Sequence, residues 1–165
     1  MITGRLAIDF DGTLCTKMPK PPMKWGRMNG EQRKGWKQLL LKEYHGARIL
    51  LNPRELGFRG GWTVISARKE EPSVRAVSEA WLQSNFRNQW GGLILLDAPR
   101  SIKAVVAFKA QALLRCGASF FIEDNLAVVK GLWGAPELTS VRVAHFCEAS
   151  KRLVFKDGSS VPISF

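Results

Sequence analysis

Five short apolar runs are spaced along the chain, each long enough to form a buried strand. They lie at residues 5–10, 62–66, 92–96, 118–122 and 140–145. The apolar residues are continuous instead of alternating with polar ones, which is typical of parallel strands covered on both faces. Between the runs, apolar residues at helical spacing predict helices around 36–44, 74–81, 102–113 and 126–133. The alternation predicts an α/β fold, a three-layer α/β/α sandwich around a mainly parallel, Rossmann-like sheet.

The length of 165 residues suits a single domain over residues 1–165. Its last stretch, KRLVFKDGSSVPISF, predicts a C-terminal β-hairpin that turns at Asp157 and Gly158. Residues 15–61 separate the first two strands and are far longer than an ordinary connection. We therefore expect an insertion there, too short to form a large cap domain.

Charge is concentrated in this insertion. The chain carries 25 Lys and Arg against 14 Asp and Glu, a formal net charge of +11. Within residues 15–61, eleven basic residues face three acidic ones, which accounts for +8 of that total. Such a field favours anionic partners, and nucleic acid is the partner we expect. Trp25 interleaves with the charges and could stack on a base or anchor the insertion to the core.

The cysteines and the hydropathy pattern bear on location. Cys15, Cys116 and Cys147 form no CxxC pair and no disulfide framework, which favours a reducing cytosol. No stretch approaches the length of a membrane span, so no membrane partner is expected. The first apolar run stops at Asp9, too early for a signal peptide. We expect a cytoplasmic protein, whose oligomeric state the sequence does not indicate.

Polar residues cluster where the predicted strands end. Ligands bind beyond the carboxyl ends of the strands in an open α/β sheet, so these side chains should share one edge. Oxygen ligands in this number suit Mg²⁺. A polar turn or helix capping would be the plainer explanation for the acidic pairs. The residues are Asp9, Asp11, Ser66, Arg68, Glu123 and Asp124, with Lys103 and Lys109 on the helix before the fourth strand.

The order of these motifs resembles that of the haloacid dehalogenase superfamily of phosphatases. "DFDGT", "VISAR", a helix lysine and "FFIEDN" occur in the order of its four motifs. Within it, "VISARKEEPSVRAVSEAWL" and "IEDNLAVVKGLW" followed by "VRVAHF" resemble the 3′-phosphatase module of polynucleotide kinase phosphatases. The resemblance covers residues 5 to about 146, and the kinase P-loop GxxxxGKS/T does not occur.

The resemblance implies a role for each motif residue. Asp9 would be the nucleophile that forms an aspartyl-phosphate, and Asp11 the general acid and base. Side chains of Asp9, Glu123 and Asp124, with the backbone carbonyl of Asp11, would hold Mg²⁺. The phosphate would be bound by the backbone at Gly12, by the hydroxyls of Thr13 and Ser66, and by the planar guanidinium of Arg68.

Three positions depart from the family pattern. Glu123 precedes Asp124 where nucleic-acid 3′-phosphatases often have two aspartates. Lys103 fits the usual spacing of the active-site lysine, whereas Lys109 lies on the apolar stripe of the helix, so Lys103 is preferred and Lys109 stays an alternative. The arginine expected after the first motif is missing, and Lys17 or Lys20 would replace it in phosphate binding.

These features predict a Mg²⁺-dependent phosphomonoesterase that removes a terminal phosphate, in the first place a 3′-phosphate, from nucleic acid. Two alternatives stay open. One is a phosphatase of nucleotides or other small phosphorylated metabolites, in which the insertion only attracts anions. The other is a nucleic-acid-binding protein that keeps the fold without turnover.

Overall fold

A seven-stranded sheet runs through the computed structural model, which describes residues 4–20, 22–58, 60–97 and 101–163. The strand order is β3-β2-β1-β4-β5-β6-β7, with β1 to β5 parallel and β6 and β7 antiparallel. The strands are β1 (Leu6–Ile8), β2 (Trp62–Lys69), β3 (Trp90–Leu96), β4 (Phe120–Glu123), β5 (Arg142–Cys147), β6 (Arg152–Phe155) and β7 (Ser160–Pro162). The chain is thus an α/β protein with a mostly parallel sheet.

Four α-helices connect the strands: α1 (Gly30–Gly46), α2 (Pro72–Phe86), α3 (Ile102–Cys116) and α4 (Leu126–Trp133). Their starts follow from local sequence. Asn29 and Gln32 form a reciprocal capping box at α1, Ser101 caps α3, and Asn125 caps α4. Each cap satisfies backbone N–H groups that the first helical turn leaves without a partner.

The helices cover both faces of the sheet. Leu6 and Ile8 of β1 belong to one buried apolar cluster, together with residues of α1 and α2. Ala7, between them, belongs to a second cluster with residues of α3 and α4. Adjacent strand residues point to opposite faces, so β1 is buried on both sides. This distribution of helices is consistent with the three layers predicted from the sequence.

All five predicted strands and all four predicted helices occur, with shifted ends. β1 is shorter than expected because the chain turns after Ile8, and β2 runs on to Lys69. The C-terminal hairpin turns at Asp157 and Gly158 as predicted, with the Gly158 amide donating to the Phe155 carbonyl at 3.0 Å. It pairs with β5 and so extends the main sheet with two antiparallel strands.

The basic insertion contributes α1 and two short 3₁₀ turns in the described residues. It returns to its starting point before it reaches β2, since the Leu50 amide donates to the Leu14 carbonyl at 3.0 Å. Tyr44 is the buried residue of α1, whereas Leu39 is 41% exposed and Trp36 is only half-buried. Trp36, which opens the apolar pattern that predicts this helix, therefore lies outside the core. The side chain of Trp25 lies outside what the structure describes.

Trp81 joins the insertion to the sheet. Its ring packs against Phe10 and Phe86 at centroid distances of 5.2 and 5.7 Å, and its indole N–H donates to the Ala47 carbonyl at 2.7 Å. The side chain is 2% exposed. One residue of α2 therefore contacts both Phe10, in the turn after β1, and the end of α1.

We predict that Trp81→Ala lowers the free energy of unfolding by about 3–5 kcal/mol, because it leaves a cavity where a large aromatic packed. Trp81→Phe should lose about 1–2 kcal/mol, since it mainly leaves the Ala47 carbonyl without its donor. Urea denaturation measures both, with Leu39→Ala, expected within about 0.5 kcal/mol of wild type, as the exposed control. Equal stability of all three variants would contradict this packing.

Candidate active site

The turn after β1 places two carboxylates at the carboxyl edge of the sheet. The Asp9 amide donates to the Ile122 carbonyl of β4 at 2.9 Å, so the backbone of Asp9 is still hydrogen-bonded to the sheet where the turn begins. Leu14 and Cys15 then donate back to the Phe10 carbonyl, each at 3.0 Å. Gly12 has φ +87°, and a Cβ there would lie 2.5 Å from Asp124 Oδ2. A side chain at position 12 would therefore prevent the turn from approaching Asp124 this closely.

Lys109 lies buried between two carboxylates. Its Nζ is 2.5 Å from Asp9 Oδ1 and also contacts Glu123 Oε2. The residue is 1% exposed, and Asp9 and Glu123 are 5% and 2% exposed. Glu123 Oε1 accepts from the Asn125 amide at 3.0 Å. The lysine thus ties the end of β1 to the end of β4.

The preference for Lys103 is therefore wrong, and Lys109 is the lysine at the site. Lys103 is exposed near the start of α3. Lys109 follows Ile102 by seven residues, two helical turns, and lies on the inner side of the helix with Val105 and Leu113. Helical phase indicated the correct residue, whereas the family spacing did not.

Burial raises the pKa of the Asp9 carboxyl well above its usual range, Glu123 raises it further, and Lys109 opposes both. Burial would lower the pKa of Lys109, but the attraction of Asp9 and Glu123 outweighs it and the pKa is raised. Lys109 is therefore a permanent positive charge. Burial is the largest cause of the raised pKa of Asp9, and the neighbouring carboxylates add to it. A further cation beside Asp9 would oppose both effects.

Three carboxylates form a set that could hold such a cation. Oxygen atoms of Asp9, Glu123 and Asp124 all lie within 4.8 Å of one another. Hard oxygen donors are the ligands that Mg²⁺ prefers, and each carboxylate oxygen has lone pairs beyond its present hydrogen bond. The donor set therefore fits the predicted magnesium ion. The Asp11 side chain lies outside this set, so only its backbone carbonyl remains a predicted ligand.

Asp124 is contacted by Lys17, which the sequence suggested, and by His145, for which no role was predicted. Lys17 Nζ lies 2.7 Å from Asp124 Oδ2, and this hydrogen bond raises the pKa of Lys17. His145 Nε2 of β5 lies 2.9 Å from the Asp124 backbone carbonyl. Of the two lysines considered for the missing arginine, Lys17 reaches the site, whereas Lys20 is exposed and its predicted phosphate contact stays untested.

Asp11 is oriented by Arg68 in a bidentate pair. Arg68 Nε and Nη2 donate to the two Asp11 oxygens at 2.9 and 2.7 Å, and Nη1 donates to Ser78 Oγ at 2.7 Å. Arg68 is 1% exposed. The prediction that its fork binds phosphate is therefore corrected, because the fork is directed at Asp11. Burial would lower the pKa of Arg68, but Asp11 raises it, so the guanidinium stays charged.

Two rings and a thiol enclose this pair. Arg68 Cζ lies 3.7 Å from the centroid of the Phe10 ring and 3.8 Å from that of Tyr44. Cys15 Sγ lies 3.8 Å from Asp11 Oδ1. Burial raises the pKa of the Cys15 thiol and Asp11 adds to the shift, so the thiol stays protonated.

The two hydroxyl residues predicted to bind phosphate lie beside this pair. Ser66 Oγ accepts from the Arg68 amide at 3.1 Å, and its hydroxyl proton is not needed for that bond. Thr13 is fully buried, and its Oγ1 has no hydrogen-bond partner among the described residues. A buried hydroxyl without a partner is costly, which favours a ligand nearby. Phosphate binding by Gly12, Thr13 and Ser66 stays a prediction.

Comparison of the chain with protein-family models, with curated proteins and with solved structures gave no match. The roles of the site residues therefore depend on their geometry and on the order of the motifs.

No helix in the described part of the chain is long and apolar enough to cross a membrane.

We predict that Lys109→Met lowers the free energy of unfolding at pH 7 by about 3–5 kcal/mol, because Asp9 and Glu123 lose their buried counter-ion. Lys103→Met, the same change on an exposed turn of the same helix, should cost less than about 0.5 kcal/mol.

The Lys109→Met effect should shrink toward about pH 4. The pKa of Asp9 is raised in the folded state. Ionised Asp9 therefore costs stability when its counter-ion is absent, and this cost disappears when Asp9 is protonated. Chemical denaturation at both pH values measures the difference. Equal losses for the two lysine variants would contradict the assignment.

We also predict that Mg²⁺ raises the melting temperature by roughly 5–10 °C at about one hundred times its Kd, since it binds the folded state. A thermal-shift series in MgCl₂, against NaCl of equal ionic strength, measures this effect. Asp124→Asn should remove most of the shift. The metal site is refuted if NaCl stabilises the protein as much as MgCl₂ does.

Proposed function

We propose that this chain is a Mg²⁺-dependent phosphomonoesterase of the haloacid dehalogenase type that works through an aspartyl-phosphate. The observation that carries the proposal is the different environment of two neighbouring carboxylates. Asp9 is buried against Lys109, and Asp11 is a quarter exposed and held by Arg68. Carboxylates in different environments support different roles in one reaction.

Asp9 suits the role of nucleophile. Its carboxylate oxygen would attack phosphorus, forming the acyl-phosphate bond while the bond from phosphorus to the leaving oxygen breaks. Lys109 fixes the orientation of the attacking carboxylate through the hydrogen bond to Oδ1. It also keeps positive charge beside the phosphoryl group as negative charge develops.

Asp11 suits the transfer of the proton. It would give its proton to the leaving oxygen, which departs as an alcohol. The resulting carboxylate would then take a proton from water as that water attacks phosphorus, the bond to Asp9 breaks, and inorganic phosphate leaves. Arg68 supports this exchange because its bidentate contact holds both Asp11 oxygens in place.

Asp9, Glu123 and Asp124, with the backbone carbonyl of Asp11, would hold Mg²⁺. When bound, the ion neutralises charge between the carboxylates and the phosphate. Lys17 contacts Asp124 and would therefore lie beside the bound ion. Among the described cations of the insertion, this position suits it to contact a phosphate oxygen.

We propose a nucleic-acid end as the substrate. Every basic side chain of the insertion that the structure describes is exposed, while Arg59 lies outside the described residues. These cations follow the turn after β1 in the sequence, and a phosphate backbone is the polyanion that such a field attracts. They are Lys17, Lys20, Lys24, Arg27, Arg33, Lys34, Lys37, Lys42, Arg48 and Arg54. The preference for a 3′-phosphate follows from the motif resemblance.

The test compares Mg²⁺-dependent phosphate release from oligonucleotides phosphorylated at the 3′ or the 5′ end, from mononucleotides and from sugar phosphates. Asp9→Asn should lose at least about a hundredfold in kcat, because the nucleophile is removed. Equal release by wild type and Asp9→Asn would refute the enzyme assignment. Turnover of small substrates alone would refute the nucleic-acid substrate and support the metabolite alternative.

A binding measurement tests the insertion separately. Oligonucleotide affinity should fall steeply with salt, and the double variant Lys34→Gln, Lys42→Gln should weaken it at least about threefold. The matched control is Lys103→Gln, Lys130→Gln, which removes the same charge from exposed helix positions outside the insertion. A flat salt response, or equal effects of the two variants, would show that the insertion does not bind the strand. Tight binding without turnover would favour the non-catalytic alternative.

A further inference from the structure

The guanidinium of Arg68 is enclosed by groups from three parts of the chain. In its plane, it donates to Asp11 and to Ser78 of α2. The rings of Phe10 and Tyr44 also contact the guanidinium, with centroids 3.7 and 3.8 Å from Cζ. Phe10 belongs to the catalytic turn itself, whereas Tyr44 comes from α1 of the insertion.

We propose that Tyr44 is a positioning residue, which holds Arg68 flat against Phe10 and thereby fixes the carboxylate of Asp11 for proton transfer. The inference rests on the proposed function, because it needs Asp11 to act as the acid. It adds a residue that lies outside every motif of the chain.

The contacts of Arg68 explain why a ring is needed. Hydrogen bonds to Asp11 and Ser78 restrict movement within the guanidinium plane, but they resist tilting out of that plane only weakly. Two rings packed against the guanidinium restrict that freedom and add cation–π attraction, which is largest where water is excluded. Arg68 is 1% exposed, so Tyr44 acts on a desolvated cation.

Tyr44 is also distinct from an ordinary packing residue of α1. Leu40, one helical turn earlier, packs against the same apolar cluster. Tyr44 differs from Leu40 because its ring contacts the guanidinium of Arg68, with the centroid 3.8 Å from Cζ. Replacing Leu40 therefore tests the attachment of α1, whereas replacing Tyr44 tests the stacking.

The measurement that tests this proposal is how the rate of phosphoryl transfer depends on the leaving group. A nucleoside 3′-phosphate has an alcohol leaving group that needs the proton of Asp11, whereas p-nitrophenyl phosphate releases a phenolate that does not. Single-turnover rates of phosphoryl transfer in saturating Mg²⁺ isolate the first step, before water attacks the intermediate. A general loss of folded structure would lower both rates by the same factor.

We expect Tyr44→Leu to slow transfer from the nucleoside 3′-phosphate about tenfold and from p-nitrophenyl phosphate less than about twofold. Tyr44→Phe, which keeps the ring, should stay within about threefold of wild type on both. Leu40→Ala should show no dependence on the leaving group. Equal losses of Tyr44→Leu on the two substrates, or no loss on the nucleoside 3′-phosphate, would overturn the proposal.

A second measurement does not depend on turnover. NMR of the Arg68 Nε–H follows its hydrogen exchange, which should accelerate about tenfold in Tyr44→Leu and not in Leu40→Ala. Unchanged exchange in Tyr44→Leu would overturn the proposal even if that variant were inactive. If Asp9→Asn retains wild-type turnover while exchange behaves as expected, the proposed function fails and the stacking stands.

Discussion

Compensation of buried charge is the constraint on which the rest of the site depends. The end of β1 and the end of β4 each bring a carboxylate into the interior, where an isolated charge would be prohibitively costly. Lys109 reaches both from α3, so strand, helix and turn must be in register before the charges are satisfied. The neighbouring carboxylates are also paired with cations: Asp11 with Arg68, and Asp124 with Lys17. Four carboxylates thus face three cations, and the remaining negative charge defines where a metal ion is favourable.

The surroundings make two similar aspartates different. Asp9 and Asp11 are separated by a single residue and would be equivalent in an unfolded chain. In the folded chain, Asp9 points to a point charge in a dry interior, while Asp11 meets a planar fork and remains partly in contact with solvent. One carboxylate is thereby enclosed, while the other keeps contact with solvent. The distinction arises from α3 on one face of the sheet and from α1 and α2 on the other.

Local patterns predicted the strands, the helices and the residues at the strand ends, because those depend on short-range spacing. They predicted less well which partner each residue would find. The phase of α3 favoured Lys109 over Lys103, and spacing alone misled. Arg68 was expected to bind an external anion, yet its partner is Asp11, 57 positions earlier in the chain. No role was predicted for Ser78 or Tyr44, since their contribution arises only when α1 and α2 pack together. Such pairs form between residues that are distant in the sequence, so the local sequence pattern does not predict them.

The hydrogen bond between Leu14 and Leu50 has a consequence for how this architecture can diverge. Because the backbone is joined there, residues 15–49 leave and re-enter the domain at one point. Closure entropy rises only slowly with loop length, so exposed residues between those positions can be added, removed or changed in charge with little effect on the sheet. Exceptions are Lys17, which pairs with Asp124, and the last turn of α1, which carries Tyr44 onto Arg68. Variation is thereby directed to the part of the segment between these contacts, where it alters surface charge and leaves the paired carboxylates in place.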